Sequence, residues 1–302
     1  MPLVTSVSHD AARSGIIKRP PASAGDRLID GVKKFARRYF PNAVGAIHRV
    51  RFARQRNSRR LSVTPFGFRF GGHQAMEDGT FEPYEAGVIA AFCSPGTVFV
   101  DVGANYGFFA CLARQRGASV IAIEPVQSNL EILYRNLTVN GWNDIEVFPL
   151  GLAAKPGIST IYGAGTGASM VPRWSGLSEA WKSAIAVSTL DIVLSDRFAN
   201  EPLLIKIDVE GVELQVLLGA AKTLARNPAP AWLVEIVLTE HHPDGLNPTF
   251  GDVFDLFRAA GYTAFAVGPE ARVVTADDVA QWIASRRRQF GHWSYLFRKT
   301  AA

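Results

Sequence analysis

The sequence predicts an α/β protein: a mostly parallel, Rossmann-like sheet with helices on both faces, preceded by a basic arm. Three observations carry this. Apolar runs rich in β-branched and aromatic residues alternate with segments of helical spacing from Glu82 onward. These runs are continuous rather than alternating, as in strands buried on both faces. Of 302 residues, 48% are hydrophobic, enough for one large core.

Charge divides the chain. Residues 1–60 hold 14 Lys+Arg against 3 Asp, a net of +11, whereas residues 61–302 hold 18 Lys+Arg against 24 Asp+Glu, a net of −6. We therefore divide it into a basic, partly flexible extension over 1–60 and a catalytic-type domain over 61–302. The extension is suited to peripheral contact with an anionic membrane or an acidic partner. Neither a signal peptide nor an apolar run of 18 residues is evident, so the expected location is cytoplasmic. Cys93 and Cys111 sit in apolar segments and read as buried thiols.

In the arm, "RPPASAGD" reads as a linker, and apolar spacing predicts a helix over Arg27–Phe40. "SVTPFGFRFGG" reads as a short strand or hairpin, and Glu82–Phe92 as a helix. "TVFVDVG" is the first buried strand, followed by a helix over Phe108–Arg116. "ASVIAIEP" is a strand stopped by Pro125, Gln127–Asn140 a helix, and "IEVFPLGLA" a strand. An irregular insertion centred on "GAGTGASM" follows. "PLLIKIDVEG" is a strand, Glu213–Ala225 a helix, "AWLVEIV" a strand and Phe250–Ala260 a helix. "YTAFAV" and "HWSYLF" are the closing strands.

Three acids, Asp101, Glu124 and Asp208, fall at the carboxyl ends of predicted strands. Ligands of open parallel sheets bind there. Uncompensated acids so close would repel one another, so a cationic or hydroxyl-rich ligand is indicated. After Asp101, "GANYG" lets the backbone approach a ligand and feeds a helix. It lacks a glycine of the dinucleotide fingerprint, and Asp101 would repel a pyrophosphate. Glu124 lies 23 residues after Asp101, the place from which a carboxylate accepts from ribose hydroxyls. A nucleoside with a positive centre and no phosphate, namely S-adenosylmethionine, suits these features.

"FVDVGANYG", "AIEPVQSNLEILYRNLTVN", "VSTLD" and above all "LIKIDVEGVELQVLLGA" resemble the FkbM family of S-adenosylmethionine-dependent methyltransferases, from about Glu82 to Glu235. The resemblance implies a class I methyltransferase fold, a three-layer sandwich around a seven-stranded sheet whose last strand is antiparallel. It implies transfer to a hydroxyl of a small molecule, sugar or glycan. By position, Asp101, Gly103 and Asn105 would line the methionine end, Gly107 the turn, Glu124 the ribose, and Leu150–Gly151 the adenine.

For the chemistry, Asp208 is the first candidate for general base or acceptor anchor, and Glu210 the second. Lys206, on the same side of its strand as Asp208, reads as a partner for a carboxylate, and Glu213 as favouring the N-terminus of its helix. Glu235, ending the next strand, and His241, in the loop after it, are placed to reach the acceptor. Asp208, Glu235 and His241 could gather a divalent ion, but nothing fixes their spacing and no metal is assigned. "GTGASMVPRW" reads as a lid with Ser169 and Trp174 over the acceptor. The rival readings are an RNA methyltransferase using the basic arm and a non-catalytic binding protein of the same fold. "DVEG" stands where an amino-methylating enzyme would carry Asn/Asp-Pro-Pro-Tyr/Phe, so no nucleic acid is expected.

Overall fold

The computed structural model describes residues 61–269, 271–289 and 291–299. The basic arm, its expected helix over Arg27–Phe40 and the proposed domain limit at residue 60 lie outside the described residues. A hairpin, β1 (Ser62–Val63) and β2 (Arg69–Phe70), opens them, followed by helices α1 (Gln74–Glu77) and α2 (Pro83–Phe92). Then come β3 (Val98–Val102), α3 (Phe108–Gln115), β4 (Ser119–Ile123), α4 (Gln127–Val139) and β5 (Glu146–Phe148). The insertion region holds β6 (Gly151–Leu152), β7 (Gly157–Tyr162), β8 (Lys182–Ser188) and α5 (Leu190–Leu194). The second half runs β9 (Leu203–Ile207), α6 (Glu213–Leu218), α7 (Ala221–Leu224), β10 (Ala231–Glu235) and α8 (Phe250–Ala259). It closes with β11 (Thr263–Ala266), β12 (Val273–Val274), α9 (Ala276–Ser285) and β13 (Ser294–Arg298).

The large sheet has the order β12-β11-β13-β10-β9-β3-β4-β5. Strands β5, β4, β3, β9 and β10 are parallel, and β13 runs antiparallel between β10 and β11. This is the expected seven-stranded arrangement with its last strand reversed. Two-residue β12 adds an eighth strand at the edge, antiparallel to β11. The chain steps from β3 outward to β4 and β5, then returns to β9 on the other side. That reversal opens a crevice at the carboxyl ends of β3 and β9, where sheets of this kind bind ligands.

Alternation along the strands sorts two cores. Val98, Val100 and Val102 face α5, α6, α8 and α9, together with Ile205 and Ile207. Phe99, Val120 and Leu204 face the other way, against α2, α3, α4 and the hairpin aromatics Phe68 and Phe70. Fully burying each such side chain contributes roughly 1.5–3 kcal/mol.

The differences from the expected elements have local causes. The single strand expected over Ile145–Ala153 is two, β5 and β6, in different sheets, because Pro149 has no N–H to continue a ladder. The helix expected over Glu213–Ala225 breaks at Gly219, where a Cβ would stand 2.3 Å from the Ala153 carbonyl oxygen. Asp191 then caps the fresh start of α7, accepting from the Lys222 and Thr223 N–H groups at 2.9 Å each. The insertion is no irregular loop: β7 and β8 pair antiparallel over six residues each, in a second sheet of order β6-β8-β7. Helix α9 was not anticipated, although Thr275 and Asp278 form a capping box at its start. Cys93 and Cys111 are free and buried, and burial pushes the Cys93 thiol up to about 12.

Candidate functional site

The turn after β3 is built by backbone geometry. Gly103 and Gly107 take φ +86° and +81°, and Asn105 takes φ 52°. At Gly103 only glycine fits, since a Cβ would lie 1.9 Å from the Asp208 carbonyl oxygen. The turns after β3 and β9 therefore touch backbone to backbone. Glu124, at the end of β4, fastens the turn: Oε2 accepts from the Asn105 N–H at 2.8 Å. Its Oε1 accepts from the Val126 N–H at 2.8 Å and from Asn129 Nδ2 at 3.2 Å. Burial outweighs these donors and raises the Glu124 carboxyl to about 7.

These groups line a cavity of about 580 Å³, open mouth included. Gly103, Asn105, Glu124, Leu150, Gly151, Asp208 and Glu210 all border it, seven of the residues singled out from sequence. Asn129 borders it too and was missed; a buried Asn in the first turn of a helix five residues after Glu124 is the signal that could have found it. Asn105 Oδ1 and Asn129 Oδ1 are both sealed from solvent without a hydrogen-bond partner. Two orphaned acceptors beside a carboxylate call for a ligand that donates hydrogen bonds through hydroxyl or ammonium groups, not for a phosphate. S-adenosylmethionine fits that donor set.

Asp101 and Gly107 stand elsewhere. Gly107 precedes α3, and neither residue borders the cavity. Asp101 sits on the strand face with Phe99 and in register with Lys206, 1% exposed, facing the Ala110 N–H of α3. Burial lifts it to about 6.

At the end of β9, Lys206 Nζ lies 2.8 Å from Asp208 Oδ2 and 4.9 Å from the centroid of the Phe109 ring. Lys206 is 3% exposed. Burial opposes its charge, yet Asp208, Glu82 and Asp101 together hold the ammonium above its ordinary value. Glu82 is the second missed residue, lying 126 positions before Asp208. Carboxylate oxygens of Glu82, Asp208 and Glu235 lie within 4.8 Å of one another. Glu82 thus stands where the sequence reading had put His241 in such a group. Burial pushes Glu82 up to about 8, and Glu235 well above the usual carboxylate range.

The insertion crosses the loop after β9. Ser169 Oγ donates to the Glu210 carbonyl at 2.5 Å, and Trp174 Nε1 to Glu210 Oε2 at 2.6 Å. Both Ser169 and Trp174 are 1% exposed. Burial raises Glu210 to about 8. Glu213 turns back from the first turn of α6 to accept from the Gly211 N–H at 2.8 Å, and burial raises it to about 7. His241 is exposed and does not border the cavity. Its Nδ1 lies 3.2 Å from Ser175 Oγ, and its carbonyl accepts from the Ser175 N–H at 2.7 Å.

No helix among the described residues is long and apolar enough to cross a membrane. A search of curated proteins returns no match. Among solved structures, the chain is similar to precorrin-6y C5,15-methyltransferase of Geobacter metallireducens GS-15. Identity is 10%, with 71% of this chain and 86% of that chain covered at TM-score 0.39. It is also similar to ribosomal protein L11 methylase of Lactobacillus delbrueckii subsp. bulgaricus, at 14% identity, 71% and 77% coverage and TM-score 0.38. A third likeness is a SAM-dependent methyltransferase of Aquifex aeolicus, at 13% identity, 63% and 86% coverage and TM-score 0.36. The Methyltransferase FkbM domain matches residues 101–264, more than half of the chain. With that match, the reversed last strand and a hydroxyl- and ammonium-seeking cavity at the switch point, the chain belongs to the FkbM methyltransferase family and is an S-adenosylmethionine-dependent enzyme of class I fold.

Proposed function

We propose that this enzyme methylates a hydroxyl oxygen on a small molecule, sugar or glycan. One observation carries the reading: Asp208 both borders the cofactor cavity and belongs to the carboxylate group with Glu82 and Glu235. It is thus the residue best placed to meet an acceptor hydroxyl and take its proton. Bound S-adenosylmethionine supplies an electrophilic methyl group on a sulfonium. Glu124 and Asn129 would hold the ribose side, and the Asn105 carbonyl oxygen Oδ1 would receive a donor at the other end. Lys206 Nζ, 2.8 Å from Asp208 Oδ2, fixes that carboxylate in place. Alignment in such a site is worth about 7–11 kcal/mol and a general base about 10²–10⁴-fold.

An RNA acceptor is the weaker reading. Residues 61–302 carry net −6, and a carboxylate-rich acceptor end repels a phosphate backbone. The test is incubation with S-adenosylmethionine and a panel of hydroxylated small molecules, sugars and glycans, with mass spectrometry for a methyl ether and S-adenosylhomocysteine. Formation of a methyl ether supports the proposal. Methylated RNA or a methylated amine, with no ether, overturns it.

A further inference from the structure

Glu82, Asp208 and Glu235 come from three separate parts of the chain: the residue before α2, the turn after β9 and the end of β10. Their oxygens nevertheless gather within 4.8 Å of one another. Oxygen ligands of Mg²⁺, Mn²⁺ or Ca²⁺ sit about 2.0–2.6 Å from the ion, so two of them are at most about 5 Å apart. The spacing is that of a coordination shell.

Two further observations point to a missing cation. Glu82 occupies the N-cap position of α2, where a shorter polar side chain would accept from the helix. It makes no such bond; Oε2 is sealed from solvent and unpartnered. Behind the group, Asp101 is 1% exposed, has at most the Ala110 N–H as a donor, and its charge acts on Lys206 and Asp208. Lys206 neutralises one carboxylate of the three. Glu82 and Glu235 stand beside that pair without an ion-pair partner of their own among the described residues, and a divalent cation would offset the cost of ionising them there. Hard, oxygen-only ligands select Mg²⁺, Mn²⁺ or Ca²⁺ over soft metals.

We propose that Glu82, Asp208 and Glu235 form a site for one hard divalent cation, beside the cofactor cavity at its Asp208 wall. Three protein oxygens leave coordination positions open. An acceptor with two adjacent oxygens, such as a vicinal diol or a hydroxy acid, fills such positions, so the site favours acceptors of that class. This acceptor preference rests on the hydroxyl reading above; the cation site does not.

The test is an electron paramagnetic resonance titration of the full chain with Mn²⁺, with S-adenosylhomocysteine affinity measured by calorimetry on the same samples. The expected result is loss of one equivalent of free Mn²⁺ signal per chain. Glu82→Gln and Glu235→Gln should each weaken Mn²⁺ at least tenfold. Both should keep S-adenosylhomocysteine affinity within threefold, which shows that the variants are folded. Glu146→Gln, on the surface by Arg197, should bind Mn²⁺ as the parent does. Mn²⁺ binding that is absent, or unchanged in both Glu82→Gln and Glu235→Gln, overturns the site. Because this readout is binding, it fails or stands apart from the identity of the methyl acceptor: a chain that binds no Mn²⁺ yet forms a methyl ether would sink the cation site alone.

Discussion

The indole of Trp174 and the carboxylate of Glu210 are joined by a hydrogen bond of 2.6 Å that ties the insertion to the loop after β9. The same ring fills the space beside Gly211, where a Cβ would meet it at 2.5 Å. Gly211 itself sits at φ +100°. Trp174→Phe keeps most of the ring and removes the donor, so it should cost about 1 kcal/mol and act locally. Hydrogen exchange should quicken across residues 165–176 while the β3–β4 sheet stays protected. Unchanged exchange there would show that the indole N–H does not hold the insertion.

Gly103→Ala should be far more damaging than an ordinary turn substitution. The new Cβ has to displace the Asp208 backbone, and φ +86° is strained for alanine. We expect at least a hundredfold loss of S-adenosylhomocysteine affinity by calorimetry, with the far-ultraviolet circular dichroism of the sheet retained. Affinity within a few-fold of the parent would mean that the two turns can part at little cost.

Glu124 sets a pH dependence. Its carboxyl is raised to about 7 by burial, so the cofactor-free fold favours the protonated form. Its contribution to stability is therefore present below the ordinary carboxylate value and is lost as pH rises through about 7. Ribose hydroxyls favour the ionised form. Cofactor affinity should accordingly be level above pH 8 and fall below pH 7, approaching tenfold per unit. Glu124→Gln should bind more weakly with a flat profile between pH 5.5 and 8. A sloped profile in that variant would assign the titration to another group.

Lys206→Met removes the cation from a buried pair and leaves Asp208 facing Glu82 and Asp101. Losing one partner of a buried ion pair costs on the order of 3–5 kcal/mol. Urea unfolding should show a loss of that size, and Lys206→Met combined with Asp208→Asn should recover part of it. No recovery in the double variant would mean that Lys206 acts through its packing on Phe109 and not through Asp208.

Asp208→Asn tests the chemical assignment. With positioning intact, loss of a general base should lower turnover by about 10²–10⁴-fold and leave S-adenosylhomocysteine affinity within threefold. Full turnover would move the role to Glu210 or Glu235.

Much of this architecture was readable because the signals were local. The apolar runs, Pro125 and the acids at strand ends located the switch point, and with it seven residues of the cavity wall. Asp101 shows where that reasoning falls short. A strand end places a residue near the crevice, but alternation with Val100 and Val102 turns its side chain toward Lys206 and α3. Glu82 was invisible for a different reason. Its neighbours in space, Asp208 and Glu235, are more than a hundred residues away, and only tertiary packing of α2 brings them together. The β7–β8 hairpin was missed because its outer face is exposed, so its residues lack a continuous apolar run.

The position of Glu82 bears on how relatives should be compared. The family match begins at Asp101, whereas the hairpin, α1 and α2 lie ahead of it and, with α3 and α4, cover one face of the sheet. A fragment cut at β3 would strip Phe68, Phe70 and Ile89 from that face and take a carboxylate out of the crevice. An alignment confined to the shared span is blind to one of the three acids that gather beside the cavity. Two relatives indistinguishable over that span can therefore differ in the residue that stands at position 82, and sorting them by what they methylate begins upstream of the segment that unites them.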